Sequence, residues 1–169
     1  MAKHSGRKLV ERAVNEFYGE VYEFLFRKLG VRQDAEDLCQ TVFLRFAGSS
    51  AEFSSRRMLR AYLYKIAVNC SNDRFRTRVD LIPLEAAEHS PSCEPSPHEL
   101  AERRELVSSV QRALNALPEK QREVLLLRFF ADLKPKEIAE CLGTDVKSVN
   151  NRLYTAKQSF KKEWENEKQ

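Results

Sequence analysis

No proline interrupts the first 82 residues of this 169-residue chain, and four of its six prolines, Pro83, Pro91, Pro95 and Pro97, fall close together just beyond. Proline lacks an amide donor and clashes with the preceding helical turn, so long helices are permitted where it is absent and excluded where it clusters. Only five glycines are present in the whole chain, which leaves few other helix breakers. The polar and apolar alternation of β-strands does not occur. The expected fold class is therefore all-α, with two small helical domains joined by an acidic Pro/Ser-containing linker.

The segment from Ile82 to Glu99 also carries Ser90, Ser92 and Ser96 and shows almost no apolar periodicity. Unstructured loops of that length are uncommon inside compact domains, so it reads as a tether. Boundaries follow at 1–80 for the first domain, 81–105 for the linker and 106–169 for the second domain. Charge supports the division. The overall net charge of +4 says little about partners, but it resolves into +5 over 1–80, −4 over 81–105 and +3 over 106–169.

In the first block Leu9, Ala13, Phe17, Val21, Leu25 and Leu29 recur mostly at four-residue spacing, flanked by Val14, Tyr18 and Tyr22, and Gly30 supplies a stop. Asp34 offers an N-cap for a second helix from Ala35 to Phe46, with Leu38, Val42 and Phe46 inward. A third helix, from about Met58 to Arg76, turns Leu59, Tyr62, Leu63, Ile66, Ala67 and Cys70 inward and ends in Arg74, Arg76 and Arg78. The second block predicts a helix from Leu100 to Leu117 with Leu106, Val110, Ala113, Leu114 and Leu117 as its stripe. Pro118 then opens a helix over Glu119 to Phe130, and shorter segments follow at Lys134 to Leu142 and Val146 to about Trp164.

The last two segments have helix-turn-helix chemistry. Ile138 and Leu142 face inward, Ala139 is small where two helices cross, and Gly143 can take the left-handed backbone of a tight turn. Asp145 is placed to cap the second helix, whose buried stripe is Val149, Leu153, Ala156 and Phe160. The opposite face carries Lys147, Ser148, Asn150, Asn151, Tyr154, Thr155, Lys157 and Gln158. Asparagine can pair bidentately with adenine in the major groove, and lysine neutralises phosphate.

Three stretches together resemble an extracytoplasmic-function (ECF) sigma factor, the smallest class of bacterial sigma subunits. They are Asp34 to Phe46 (DAEDLCQTVFLRF), Arg60 to Asp73 (RAYLYKIAVNCSND) and Leu114 to Leu125 (LNALPEKQREVL), the last running into the helix-turn-helix. The resemblance implies a non-enzymatic transcription initiation factor that directs core RNA polymerase to promoter DNA. It further implies that the first domain binds core polymerase through Asp37, Gln40, Thr41 and Leu44. The segment from Ala61 to Arg76 then faces the minus-10 element, where the duplex opens. Unpaired bases are held by aromatic stacking and a positive groove. Arg56, Arg57, Tyr64, Asn69, Asn72, Asp73, Arg74 and Arg76, with Tyr62, supply such groups. The minus-35 element falls to Lys147, Ser148, Asn150, Asn151, Tyr154, Thr155 and Lys157.

The sequence departs from the family pattern at Asn150, where Lys or Arg is common, and at Thr155, where Arg is common. Lys134, Pro135 and Lys136 replace a Ser-x-Glu-like helix opening. Asn150 and Asn151 point instead to an adenine-containing minus-35 element. An anti-sigma protein is an implied partner, and the chain is expected to be a cytoplasmic monomer when free.

Other chemistry has less support. No apolar run approaches the roughly 18 to 20 residues of a membrane span, and no signal-type core follows the N-terminus. Cys39, Cys70, Cys93 and Cys141 are scattered without a CxxC pair, which argues against a disulfide framework. His89, Cys93 and His98 sit within ten residues, but zinc wants a fourth ligand and a rigid frame. No cofactor or metal is expected. Two rival readings use the same residues: a stand-alone helix-turn-helix regulator, and a small zinc hydrolase built on that His/Cys group.

Overall fold

The chain opens on a 28-residue helix, α1 (Ala2–Leu29), which the apolar spacing from Leu9 to Leu29 anticipates. It ends where Gly30 adopts φ 75°, its amide donating to the Phe26 carbonyl at 2.8 Å. Helix α2 (Arg32–Ala47) packs along α1, and α3 (Arg56–Thr77) crosses both. After the linker come α4 (Pro97–Ala116), α5 (Glu119–Leu125), α6 (Pro135–Leu142) and α7 (Val146–Glu167). This is a computed structural model, and it describes the backbone of residues 2–77 and 97–167 and the side chains of 7–73 and 105–167. Among the described residues all regular structure is helical, and no helix is long and apolar enough to cross a membrane.

Several details differ from the sequence expectation. Helix α2 starts at Arg32, with Val31 in extended conformation at its N-cap, so Asp34 lies buried inside the first turn and does not cap it. Helix α4 begins at Pro97, which makes residues 97–105, assigned above to the linker, helical. Proline suits a first turn because its missing amide is unneeded there. Leu106 is exposed and falls outside the buried stripe of α4. The segment expected as one helix over Glu119 to Phe130 changes winding at Leu126. Its last five residues form a π-helical turn, with the Ala131 amide donating to the Leu126 carbonyl at 2.9 Å. Of the possible ligands, His89 and Cys93 lie outside the described residues, and His98 lies in the first turn of α4 with its side chain outside them.

The core of the first block is Phe17, Val21, Phe24 and Leu25 from α1, Val42, Phe43 and Phe46 from α2, and Leu63 and Ala67 from α3. In the second block Leu127, Leu133, Ile138, Val149 and Ala156 are all but fully buried. Burial of this kind supplies most of the stability of such helices, at roughly 1.5–3 kcal/mol per large apolar side chain. Cys39, Cys70 and Cys141 are buried among these helices, and burial raises each thiol pKa, to about 12 for Cys39 and Cys141.

The two blocks are packed together. Helix α3 lies against α6, and α1 touches the π-helical turn. The seam is crossed by polar contacts, most of them donated by the first block. The Lys28 ammonium is fully buried. It donates to Ser71 Oγ at 2.8 Å and Asn72 Oδ1 at 2.7 Å, both on α3, and to the buried Glu123 carboxylate of α5. Arg60 donates to the Ala131 carbonyl, and Arg57 grips Glu137 through Nε and Nη2 at 2.6 and 2.8 Å. In return Gln111 of α4 donates to the Arg27 carbonyl at 3.1 Å, and Arg122 reaches the Lys28 carbonyl at 3.4 Å.

Glu137 also accepts the Lys134 amide at 2.7 Å. The Arg57 fork is the principal cause that lowers its carboxyl pKa from 4.5 to about 2. A depressed carboxylate stabilises the state that contains the pair above its ordinary pKa and loses that contribution as pH falls through the folded value. The packed arrangement of the wild type should therefore weaken between about pH 4.5 and about pH 2 by more than that of Glu137→Gln. Small-angle scattering and chemical denaturation of the two proteins across that window check this, and parallel profiles would refute it.

Candidate nucleic-acid interface

The turn between α6 and α7 is built as the residues predict. Gly143 adopts φ 62° and ψ 39°, its amide returning to the Ala139 carbonyl, and the Thr144 amide reaches the same oxygen at 3.0 Å. Nothing lies within 4 Å of where a Cβ on Gly143 would sit, so backbone conformation, and not crowding, calls for glycine. Asp145 accepts the Ser148 amide at 2.8 Å and the Ser148 hydroxyl at 2.6 Å. Those bonds favour its ionised form and lower its pKa. At the start of α6 Glu137 reaches back to the Lys134 amide, so the Lys-Pro-Lys opening is still capped.

Helix α7 buries Val149, Leu153 and Ala156 and half-buries Phe160, which stacks on Trp164 with ring centroids 6.1 Å apart. Lys147, Asn150, Asn151, Tyr154, Thr155 and Lys157 are exposed on the opposite side, Tyr154 by 67%. Their uses differ in detail. Ser148 is half-buried and holds Asp145, and the Thr155 hydroxyl is turned back to the Asn151 and Arg152 carbonyls at 3.2 and 3.1 Å. Lys157 leans over the ring of Phe129 at 5.3 Å. Lys147, Asn150, Asn151 and Tyr154 are the groups best presented for a groove.

Sequence reasoning did not single out Phe129, which the π-helical turn leaves 62% exposed. It edges an apolar groove of about 470 Å³ whose lining includes Val110, Leu114, Leu126, Phe130 and Phe160. The only sign in the sequence is a double phenylalanine at the end of an apolar run.

On the first block, Asp37, Gln40 and Leu44 are exposed and Thr41 is half-buried, its hydroxyl donating to the Asp37 carbonyl at 2.9 Å. Leu44 is 73% exposed in the middle of α2. On α3 Asn69 and Asp73 are exposed, with Asp73 3.6 Å from Arg45. Arg56 pairs with Glu16, Arg57 with Glu137, and Asn72 with Lys28. Arg74 and Arg76 belong to the last turns of α3, with side chains outside the described residues.

Tyr64 requires a correction. It is fully buried, edge-on to Phe24 at 5.1 Å and beneath the Arg60 guanidinium at 5.4 Å, so its ring is not offered to a base. The reason is tertiary. Helix α3 is covered by α1 and α2, and Phe24 of α1 meets the Tyr64 ring. Tyr62 is half-buried in a cluster with Phe53 and Phe46, at 5.1 and 6.4 Å.

The comparisons with known proteins agree with this geometry. Residues 13–79 match the family model "Sigma-70 region 2", and residues 108–160 match "Sigma-70, region 4". The RNA polymerase sigma factor YlaC of Bacillus subtilis is 28% identical over 159 residues, covering 92% of each chain. The ECF RNA polymerase sigma factor SigW of the same organism is 27% identical over 160 residues, covering 89% of this chain and 86% of its own. Among solved structures, the sigma factor RpoE in complex with the anti-sigma factor NepR from Bartonella quintana superposes with a TM-score of 0.73. At 19% identity, with 92% of this chain and 96% of that one covered, the likeness shows the fold. The two matched regions together span more than two thirds of the sequence, and the chain belongs to the ECF family of RNA polymerase sigma factors, which recognise promoters and initiate transcription.

Two substitutions test the site's construction. Gly143→Ala should cost about 1 kcal/mol, the left-handed penalty for an L-residue, read from urea denaturation. Tyr64→Leu, which removes the aromatic face, should lower stability in urea yet leave binding of single-stranded DNA by the folded protein within about twofold of wild type, because a stacking role would demand an exposed ring. A larger loss would return Tyr64 to the interface.

Proposed function

We propose that the two sigma regions divide the work between the ends of the chain, residues 1–80 opening the minus-10 element on core polymerase and residues 106–169 reading the minus-35 duplex. The observation that carries the reading is the α7 face, where Gly143 and Asp145 set the helix and its exposed side holds Lys147, Asn150, Asn151 and Tyr154. Asparagine side chains in a major groove favour adenine, so the minus-35 element contains adenine at the positions facing Asn150 and Asn151. Lys157, Ser148 and Thr155 complete the contact at its edges.

Helix α2 presents Asp37, Gln40, Thr41 and Leu44 to the polymerase largest subunit, with Leu44 as the apolar centre. On α3, Arg56, Arg57, Asn69, Asn72, Asp73, Arg74 and Arg76 meet the melted strand, where a positive groove neutralises the backbone. The protein supplies binding free energy and no covalent chemistry, and it acts in the cytoplasm where polymerase is. An anti-sigma protein is its regulator. The fold shared with RpoE, which was solved with the anti-sigma factor NepR, supports that assignment.

Run-off transcription with core polymerase over genomic promoter fragments tests the reading, the expected result being specific transcripts that depend on this chain. Within those promoters Asn151→Ala should lower affinity for the minus-35 duplex by about 1–3 kcal/mol and relax the preference at one base pair. Core polymerase that binds the folded protein yet starts at no promoter would overturn the proposal.

A further inference from the structure

We infer that Phe129 is a positioning residue that tunes affinity for duplex DNA, its ring competing with the DNA backbone for the Lys157 ammonium. This rests on the assignment of the exposed α7 face to the minus-35 duplex. Lys157 stands at the margin of that face. At about 100° per residue, it lies about 60° around the helix from Tyr154 in one direction and about 60° from Phe160 in the other. Tyr154 is exposed together with Asn150 and Asn151, whereas Phe160 is half-buried and lines the apolar groove. A charge on a flexible four-carbon stem at that position can turn either way.

In the free chain it turns toward the groove. The Lys157 nitrogen is 5.3 Å from the centroid of the Phe129 ring, and among the described residues no carboxylate pairs with it. The ring is there to be met because the π-helical turn over Leu126–Phe130 leaves Phe129 62% exposed while Leu126 and Leu127 are buried. Turns of this kind are frequent at functional sites, where they re-aim a side chain that an unbroken helix would place elsewhere.

The strength of the contact sets what it can do. A cation over a solvent-exposed ring is held weakly, so a phosphate can take the lysine, but only after the ring is given up. Duplex affinity is then lower than the charge alone would allow by the ring's hold on it, about two- to fivefold. Removing the ring while keeping apolar bulk should release that factor, and only while Lys157 carries its charge.

Anisotropy of the full chain on a duplex that the wild type selects from a random pool, repeated over a salt series, tests this. Phe129→Leu should bind about two- to fivefold tighter than wild type, and Phe129→Tyr, which keeps a ring, should match wild type. Lys157→Gln should flatten the slope of log affinity against log salt by about 0.9, the loss of one phosphate contact, and in that background Phe129→Leu should gain nothing. A merely structural role for Phe129 would not vanish with the lysine charge. Binding by Phe129→Leu no tighter than wild type, a gain that persists beside Lys157→Gln, or an unchanged salt slope in Lys157→Gln would overturn the inference. If Phe129→Leu does not fold by circular dichroism, Phe129→Met decides, with the same results expected. Asn151→Ala with Lys147→Gln is measured on the same duplex. Weakened binding there without a Phe129 effect leaves α7 as the reading helix and removes only the positioning role; undiminished binding there removes the reading of α7 and the inference with it.

Discussion

A lysine ammonium with no exposure to water must have its donors filled, and in this chain that requires parts of both sigma regions at once. Lys28 draws Ser71 and Asn72 from α3 and Glu123 from α5 to one point. Around it Arg60 meets the Ala131 carbonyl and Arg57 meets Glu137, so the orientation of the helix-turn-helix on the first region is fixed by a row of directed bonds. Buried charge of this kind adds little net stability, but an unpaired partner is strongly penalised, which makes the pair a selector of geometry. The packing of α6 on α3 and the engagement of Arg57 depend on that arrangement.

Much of the fold was legible in the sequence for an identifiable reason. Helices α1 and α7 carry apolar residues at helical spacing, and Gly30 and Gly143 stand where left-handed backbone ends a helix. Asp145 sits one residue before α7, where only a short acceptor can reach the Ser148 amide. These are local signals, and local physics suffices to read them. Asp34 shows the limit. A well-placed cap residue was overridden when α2 gained an extra turn and the carboxylate was buried.

What escaped the sequence is tertiary. Lys28 has apolar neighbours along α1, but nothing local shows that an acid 95 positions away will meet it. Tyr64 has the same composition signal as an exposed stacking residue, and only its packing against Phe24 of α1 decides between the two. Phe129 reads as core until the π-helical turn rotates it outward. The resemblance to sigma factors named the elements expected to meet nucleic acid, but not that some of their side chains are engaged by the chain itself.

If the buried Lys28–Glu123 pair selects the packed arrangement of the two regions, removing the carboxylate must loosen it. Energy transfer between fluorophores at Glu52 and Lys136, with the native cysteines replaced, measures this directly. A single short distance is expected in the free protein, and a longer, broader distribution in Glu123→Gln. An unchanged short distance in folded Glu123→Gln would contradict it.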